Sequence, residues 1–110
     1  MGTVQLRSGY VQNLTVGQTT TGAGAWRYKE APYSAFQATV SGTGAVTATV
    51  TIEVSNDGVN TIGTVMGTIS LSGTTSASDG FTSQAPWKYV RANVTGLTGT
   101  GATVDVVMSV

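Results

Sequence analysis

The sequence predicts an all-β fold, an antiparallel, jelly-roll-like β-sandwich of about seven or eight strands. Thr and Val, whose β-branched side chains favour strands, are frequent, whereas the helix builders Leu, Lys and Glu are scarce. Short stretches in which apolar and polar residues alternate recur along the chain, and turn signals separate them. No stretch has helical periodicity. A length of 110 residues fits one domain, so we expect residues 1–110 to form a single sandwich.

The clearest strand signal is Ala45–Val54, where apolar and polar residues alternate without interruption. A period of two places one face of a strand in the core and the other in solvent. The residues predicted to be buried are Val46, Ala48, Val50, Ile52 and Val54, and those predicted to face solvent are Thr47, Thr49, Thr51 and Glu53. The strand is expected to end at Ser55–Gly58, because Asp-Gly is a strong turn signal.

Further strands are predicted at residues 34–41, 61–72, 87–95 and 102–110, with shorter ones near residues 4–6, 11–16 and 26–29. In the 61–72 strand, Val65, Ile69 and Leu71 share one phase, and Gly63 and Gly67 indicate a bulge or a close backbone approach. Residues 73–80 are interpreted as a Ser/Thr/Gly loop, and residues 96–101 as a turn-rich connector. Residues 12–25 have little to bury, so residues 1–25 are expected to form, in part, an extended N-terminal arm that orders on contact with a partner.

The composition argues against several classes of function. Five Lys and Arg are balanced by five Asp and Glu, so the chain lacks the basic footprint of a nucleic-acid binder. The absence of Cys and His removes disulfides, thiolate metal sites and the commonest general base. No apolar run approaches the ~20 residues of a membrane helix, and the N-terminus lacks the apolar segment of a signal peptide. We therefore expect no nucleic-acid or membrane partner.

The five carboxylates form no recognisable catalytic arrangement. Glu53 is predicted on a solvated strand face, and Asp57 and Asp79 precede glycines in turns. A glycosidase needs two carboxylates that face each other across a sugar, and no pair here can be assigned that geometry. A calcium site at Asp57 would have a single carboxylate and would bind weakly. The sequence therefore predicts no enzyme, no catalytic or metal-binding residues and no cofactor.

Two segments, Trp26–Glu30 and Pro86–Arg91, mix aromatic and cationic residues. In the second segment, Trp87, Tyr89 and Arg91 share a strand face, on which Arg91 could stack on Tyr89 as a cation–π pair. Such a face can recognise a sugar or a protein; the alternative is that Trp87 caps the core edge while Tyr89 and Arg91 pack on a neighbouring strand. The candidate partner-binding residues are Tyr10, Trp26, Arg27, Tyr33, Trp87, Tyr89 and Arg91.

Three segments, Phe36–Val40, Val50–Gly58 and Trp87–Thr95, follow one another as in small structural proteins of tailed bacteriophages. Residues 34–110 resemble the jelly-roll decoration, or cement, proteins of phage capsids, including the staple proteins of epsilon15-like phages. The resemblance implies a protein made in the cytoplasm of the bacterial host and placed on the exterior of the virion capsid. There it would bind the major capsid protein, as a homo-oligomer or in many copies on the icosahedral lattice, and stabilise the shell by bridging its subunits.

The same strand and turn motifs also occur in phage tail proteins and in galactose-binding-like sandwiches. In such proteins Trp often follows the Asn-Asp-Gly turn, whereas Val59-Asn60-Thr61 follows it here, and this departure weakens the carry-over of a ligand site. The alternative function is a carbohydrate-binding module of a phage tail or fibre that uses the regions of Trp26 and Trp87.

Overall fold

A computed structural model describes residues 11–29, 32–59 and 63–110, and every regular element within them is a β-strand. The strands are β1 (Val11–Gln18), β2 (Gly22–Ala23), β3 (Arg27–Tyr28), β4 (Tyr33–Ser55), β5 (Thr64–Gln84) and β6 (Tyr89–Ser109). All pairings are antiparallel, in the order β1-β6-β4-β5, and β2 and β3 also pair with β6. The predicted all-β class is confirmed.

The three long strands fold back on themselves. Strands β4, β5 and β6 have 23, 21 and 21 residues. A straight strand of that length would span roughly 70 Å, but the longest Cα dimension of the molecule is 49 Å. In β5 the fold-back is seen directly, because the Ser83 hydroxyl donates a hydrogen bond to the Met66 sulfur 3.2 Å away, although 17 positions separate them. Each long strand therefore contributes to two facing layers.

The bends lie in the glycine-rich segments. The ladders of β4 lose register between Ser41 and Ala45, and residues with positive φ mark the bend in each long strand. These residues are Gly44 in β4, Thr75 in β5, and Gly99 and Gly101 in β6. The predicted loop at 73–80 and connector at 96–101 are therefore wrong, because both segments continue a strand around a corner that left-handed backbone provides.

The two layers form an antiparallel β-sandwich, as the sequence predicts. Layer one holds β1 and residues 103–109, 33–41 and 76–84, in that order. Layer two holds β2 with β3, then residues 89–98, 45–55 and 64–74. The described residues form six strands where the whole chain was expected to have seven or eight, because β4, β5 and β6 each serve both layers.

Inward-facing residues of both layers form one hydrophobic core. Val46, Val50 and Ile52 have no solvent exposure, whereas Thr47 is exposed and the next two threonines are half-buried, which confirms the predicted alternation. The core residues are Leu14, Phe36, Ala38, Val40, Val46, Ala48, Val50, Ile52, Val54, Ile69, Leu71, Val90, Ala92, Val94, Ala102, Val104, Val106 and Met108. Burying a side chain such as Ile52 contributes about 1.5–3 kcal/mol.

A β-bulge corrects the predicted phase of β5. The ladder between β4 and β5 shifts register before Gly67 and leaves Met66 as an extra residue. A bulge of one residue reverses the faces of a strand. Ile69 and Leu71 are therefore buried as predicted, whereas Val65 points outward and is 54% exposed.

Strand β1 lies within the segment where an N-terminal arm is predicted. It pairs with β6 at the edge of layer one, and its Leu14 is 3% exposed in the core. The ladder shifts register after Asn13 and again after Thr15. The predicted strand at residues 4–6 and the rest of residues 1–10 lie outside the described residues.

Candidate binding surface

An ion pair lies on the outer face of layer two, where Glu53 of β4 is opposite Arg91 of β6. The Nε of Arg91 donates a hydrogen bond of 2.8 Å to Glu53 Oε1, and Nη2 lies 2.8 Å from the same oxygen. The Nδ2 of Asn93 donates to Glu53 Oε2 at 2.9 Å. The side chains of Arg91 and Glu53 are 11% and 10% exposed. The prediction that Glu53 is solvated is therefore wrong. Three donor groups on β6 bind its carboxylate oxygens, and the side chain is buried.

The indole of Trp26 covers this ion pair. The Cζ of Arg91 lies 4.4 Å from the centroid of the indole ring, within the range of a cation–π contact. Gly63 packs against both the indole and Glu53, since a Cβ there would lie 2.8 Å from Trp26 Cη2 and 3.0 Å from Glu53 Cβ. The guanidinium thus stacks on Trp26, and not on Tyr89 as the sequence suggests. We call Trp26, Glu53, Arg91 and Asn93 the covered cluster.

The charges of the covered cluster neutralise each other. Burial alone would raise the pKa of the Glu53 carboxyl, but hydrogen bonds from Asn93 and Arg91, together with the guanidinium charge, outweigh burial and lower it. A carboxylate that is this well satisfied is a poor proton donor or acceptor near neutral pH. The contacts of the cluster tie β4 and β6 to the segment that carries Trp26.

A tyrosine pair lies beside the covered cluster. Tyr28 of β3 is opposite Tyr89 of β6, and their rings meet edge to face with centroids 5.8 Å apart. Gly58 packs against the Tyr89 ring, because a Cβ there would lie 2.8 Å from its Cγ. Tyr28 is 54% exposed. The pair presents an aromatic surface next to Gly58.

A shallow concavity adjoins the loop before β6. It has a volume of about 270 Å³ and is lined by Asn56, Pro86 and Trp87. Trp87 is half-buried and packs against the core, which agrees with the alternative that it caps the core edge. One face of the concavity is therefore aromatic, and an amide side chain lies beside it.

A buried lysine anchors the same end of the sandwich. Lys29 is 2% exposed, and its Nζ donates hydrogen bonds to the carbonyl oxygens of Ala85 at 2.6 Å and Pro32 at 3.0 Å. Burial, and then the nearby charge of Lys88, lower the pKa of its ammonium group. Sequence reasoning missed this role, because nothing in the local pattern distinguishes Lys29 from a solvated lysine.

A second concavity lies on the outer face of layer one. Its volume is about 330 Å³ and it runs between β1, β4 and β6. The lining residues are Val11, Ala35, Phe36, Gln37, Val107 and Ser109. Tyr33, at the start of β4, is 62% exposed, and Val11 is 60% exposed. This surface is apolar and uncharged.

The structure brings together some of the predicted partner-binding residues and separates others. Trp26, Tyr89 and Arg91 lie close together on layer two, although Arg91 is largely occupied within the covered cluster. Arg27 is exposed beside them on β3. Trp87 lies in the loop before β6, and Tyr33 lies at the start of β4. Tyr10 falls outside the described residues.

The described part of the chain contains no group of three or more His, Cys, Asp or Glu that could hold a metal ion. It also contains no helix long and apolar enough to cross a membrane. Comparison of the chain with models of protein families, with curated proteins and with solved structures finds no match. The argument for function therefore depends on the surfaces described above.

Proposed function

We propose that the protein works by binding and assembling, as a decoration protein on the outside of a tailed-bacteriophage capsid. The observation that carries this proposal is a nearly uncharged β-sandwich with exposed apolar side chains. Among the described residues, the large apolar side chains that are more than half exposed are Val11, Val16, Tyr28, Tyr33, Val59 and Val65. Protein interfaces concentrate aromatic residues and deplete charge at their centres, so this surface suits a protein partner.

The strand pairing supports a jelly-roll interpretation of the sandwich. Counting the bent halves separately, and β2 with β3 as one, gives eight segments. In chain order, segment 1 pairs with 8, 2 with 7, 3 with 6 and 4 with 5. This nesting is that of one long hairpin rolled into two layers, and jelly rolls of eight strands are common in viral capsid proteins. We therefore propose a jelly roll of the kind that the resemblance implies.

The proposed mechanism is the bridging of neighbouring subunits of the major capsid protein. Each copy contributes modest contacts, and their repetition over an icosahedral lattice adds by avidity. The chain has few charges, so binding should depend on Tyr28, Tyr33 and neighbouring apolar side chains and should tolerate moderate salt. The protein would be made in the host cytoplasm, where a fold without cysteine needs no oxidation, and would carry out no catalytic step.

A carbohydrate-binding function is the second candidate, favoured by the concavity at Trp87. An indole face beside the amide of Asn56 offers one apolar and one hydrogen-bonding surface, which is the chemistry that a sugar ring requires. Specific micromolar binding on a glycan array, lost in Trp87→Phe and in Asn56→Ala, would favour this candidate.

Quantification of the protein in purified phage heads tests the capsid proposal. We expect the protein to co-purify with intact heads at a fixed ratio to the major capsid protein. The double variant Tyr28→Ala, Tyr33→Ala should bind heads at least tenfold more weakly, whereas Thr82→Ala, an exposed change on layer one, should bind normally. Absence from the heads, or equal binding by both variants, would contradict the proposal.

A further inference from the structure

We infer that the layer-two half of β5 pairs, edge to edge, with the same segment of a second copy of this chain. Strand β5 is the last strand in the sheet order and pairs with β4 alone among the described strands. The outer edge of a strand presents a row of backbone N–H and C=O groups that can template another strand. The inference goes beyond the proposed function, because it concerns self-association of the free protein.

The other edges of the sandwich are blunted in ways that prevent pairing. Strand β1 has two register shifts within eight residues, and β2 and β3 have only two residues each. In the layer-one half of β5, Asp79 places an exposed charge on the edge strand itself. Bulges, very short strands and charged side chains on the edge strand are among the devices by which natural sheets protect their edges.

The layer-two half of β5 has none of these devices beyond the Met66 bulge. From Gly67 to Thr74 it pairs with β4 without a register shift, and it contains no charged residue and no proline. Its inward residues Ile69 and Leu71 are 2% and 4% exposed, so the core extends to this edge. A regular, uncharged and apolar-backed edge is the kind that recruits a further strand.

The charge pattern favours a second copy as the partner. An antiparallel pair of identical segments is related by a two-fold axis, so the same patch must complement itself. Residues 64–78 are uncharged, so self-pairing opposes no like charges. The outward residues of the segment are Thr68, Ser70 and Ser72. In the dimer they would lie opposite the hydroxyl side chains of the second copy, and such residues form favourable cross-strand pairs. The zero net charge of the chain leaves little repulsion between copies.

Sedimentation equilibrium of the purified full-length chain tests this inference with a matched pair of variants. Thr68→Lys and Thr82→Lys place the same new charge at exposed positions of the same strand, one in each half. We expect a dimer for the wild type, at least a tenfold rise in the dimer dissociation constant for Thr68→Lys, and no change for Thr82→Lys. Thermal melting checks that both variants fold.

Cysteine cross-linking gives a second readout that does not depend on an added charge. The chain has no cysteine, so Ser70→Cys introduces a single thiol at the centre of the segment. Oxidation should convert Ser70→Cys to a covalent dimer and leave Thr82→Cys monomeric. A wild type that stays monomeric at millimolar concentration, equal weakening by the two Lys variants, or equal cross-linking at the two positions would overturn the inference. None of these outcomes bears on whether the monomer binds a phage head.

Discussion

Replacing Glu53 by Gln should be among the most destabilising single changes at an outward-facing position. The substitution keeps the shape of the side chain but removes its charge, and so deprives the guanidinium of Arg91, 11% exposed under the indole of Trp26, of the carboxylate that it contacts at 2.8 Å. Removal of one partner from a buried ion pair typically costs about 3–5 kcal/mol. Because Gln can still accept one of the hydrogen bonds, we expect about 3 kcal/mol, the lower end of that range.

Urea denaturation at pH 7 measures this cost, and a double-mutant cycle shows its origin. Arg91→Met alone should also destabilise, since it leaves the Glu53 carboxylate unpaired. The double variant should lose less stability than the two single variants together, by about 2 kcal/mol or more, because it removes both charges of the pair. The control Asp79→Asn changes an exposed carboxylate and should stay within about 0.5 kcal/mol of wild type. A cost below about 1 kcal/mol for Glu53→Gln would refute a buried, stabilising ion pair.

The same pair should make stability depend on pH in a defined direction. Folding lowers the pKa of Glu53 below its ordinary value of 4.5, so the folded state binds the proton less readily than the unfolded state does. The stabilisation is therefore fully present above pH 4.5 and is lost as pH falls through the lowered pKa. The difference in unfolding free energy between wild type and Glu53→Gln should accordingly be constant near neutral pH and shrink in acid.

Three further changes test the fold. Ile52→Asp buries an unpaired charge at a position with no exposure and should abolish cooperative melting; a soluble variant that melts cooperatively would contradict the strand assignment. Thr75 has a φ of 67°, which costs an L-residue roughly 1–2 kcal/mol, so Thr75→Gly should be more stable than the neighbouring control Thr74→Gly in thermal melts. Gly67→Ala places a Cβ 2.5 Å from Phe81 Cζ and should cost about 1–3 kcal/mol. That cost should fall in a Phe81→Leu background. An unchanged cost would contradict the facing arrangement of the two halves of β5.

The strands were predictable from sequence because alternation of apolar and polar residues reports burial directly. At residues 45–54 that alternation identifies the buried face, and the core residues of layer two follow it. The bends at residues 73–80 and 96–101 were not predictable, because Gly, Ser and Thr serve equally in a loop and in a strand that turns a corner. Only the pairing of Thr74 with Ala45 and of Ser76 with Ser41 shows that β5 continues through its bend.

The binding surface was predictable only where its residues are neighbours in sequence. The shared face of Tyr89 and Arg91 follows from strand periodicity, and the structure places both on layer two. The contact of Arg91 with Trp26 joins positions far apart along the chain, and no local pattern encodes it. Glu53 was misjudged for the same reason, because the strand pattern shows which way it points but not that Trp26 covers it.

The thermal stability of the shell is the most direct test of the proposed function. Phage heads stripped of the protein, native heads and stripped heads with purified protein added back are heated while DNA release is followed. A protein that binds the assembled shell and not its loose subunits stabilises the shell by mass action. We predict that stripped heads remain intact but release DNA at a lower temperature than native heads, and that added protein restores the native value. Equal release temperatures for all three preparations would contradict the capsid-decoration proposal.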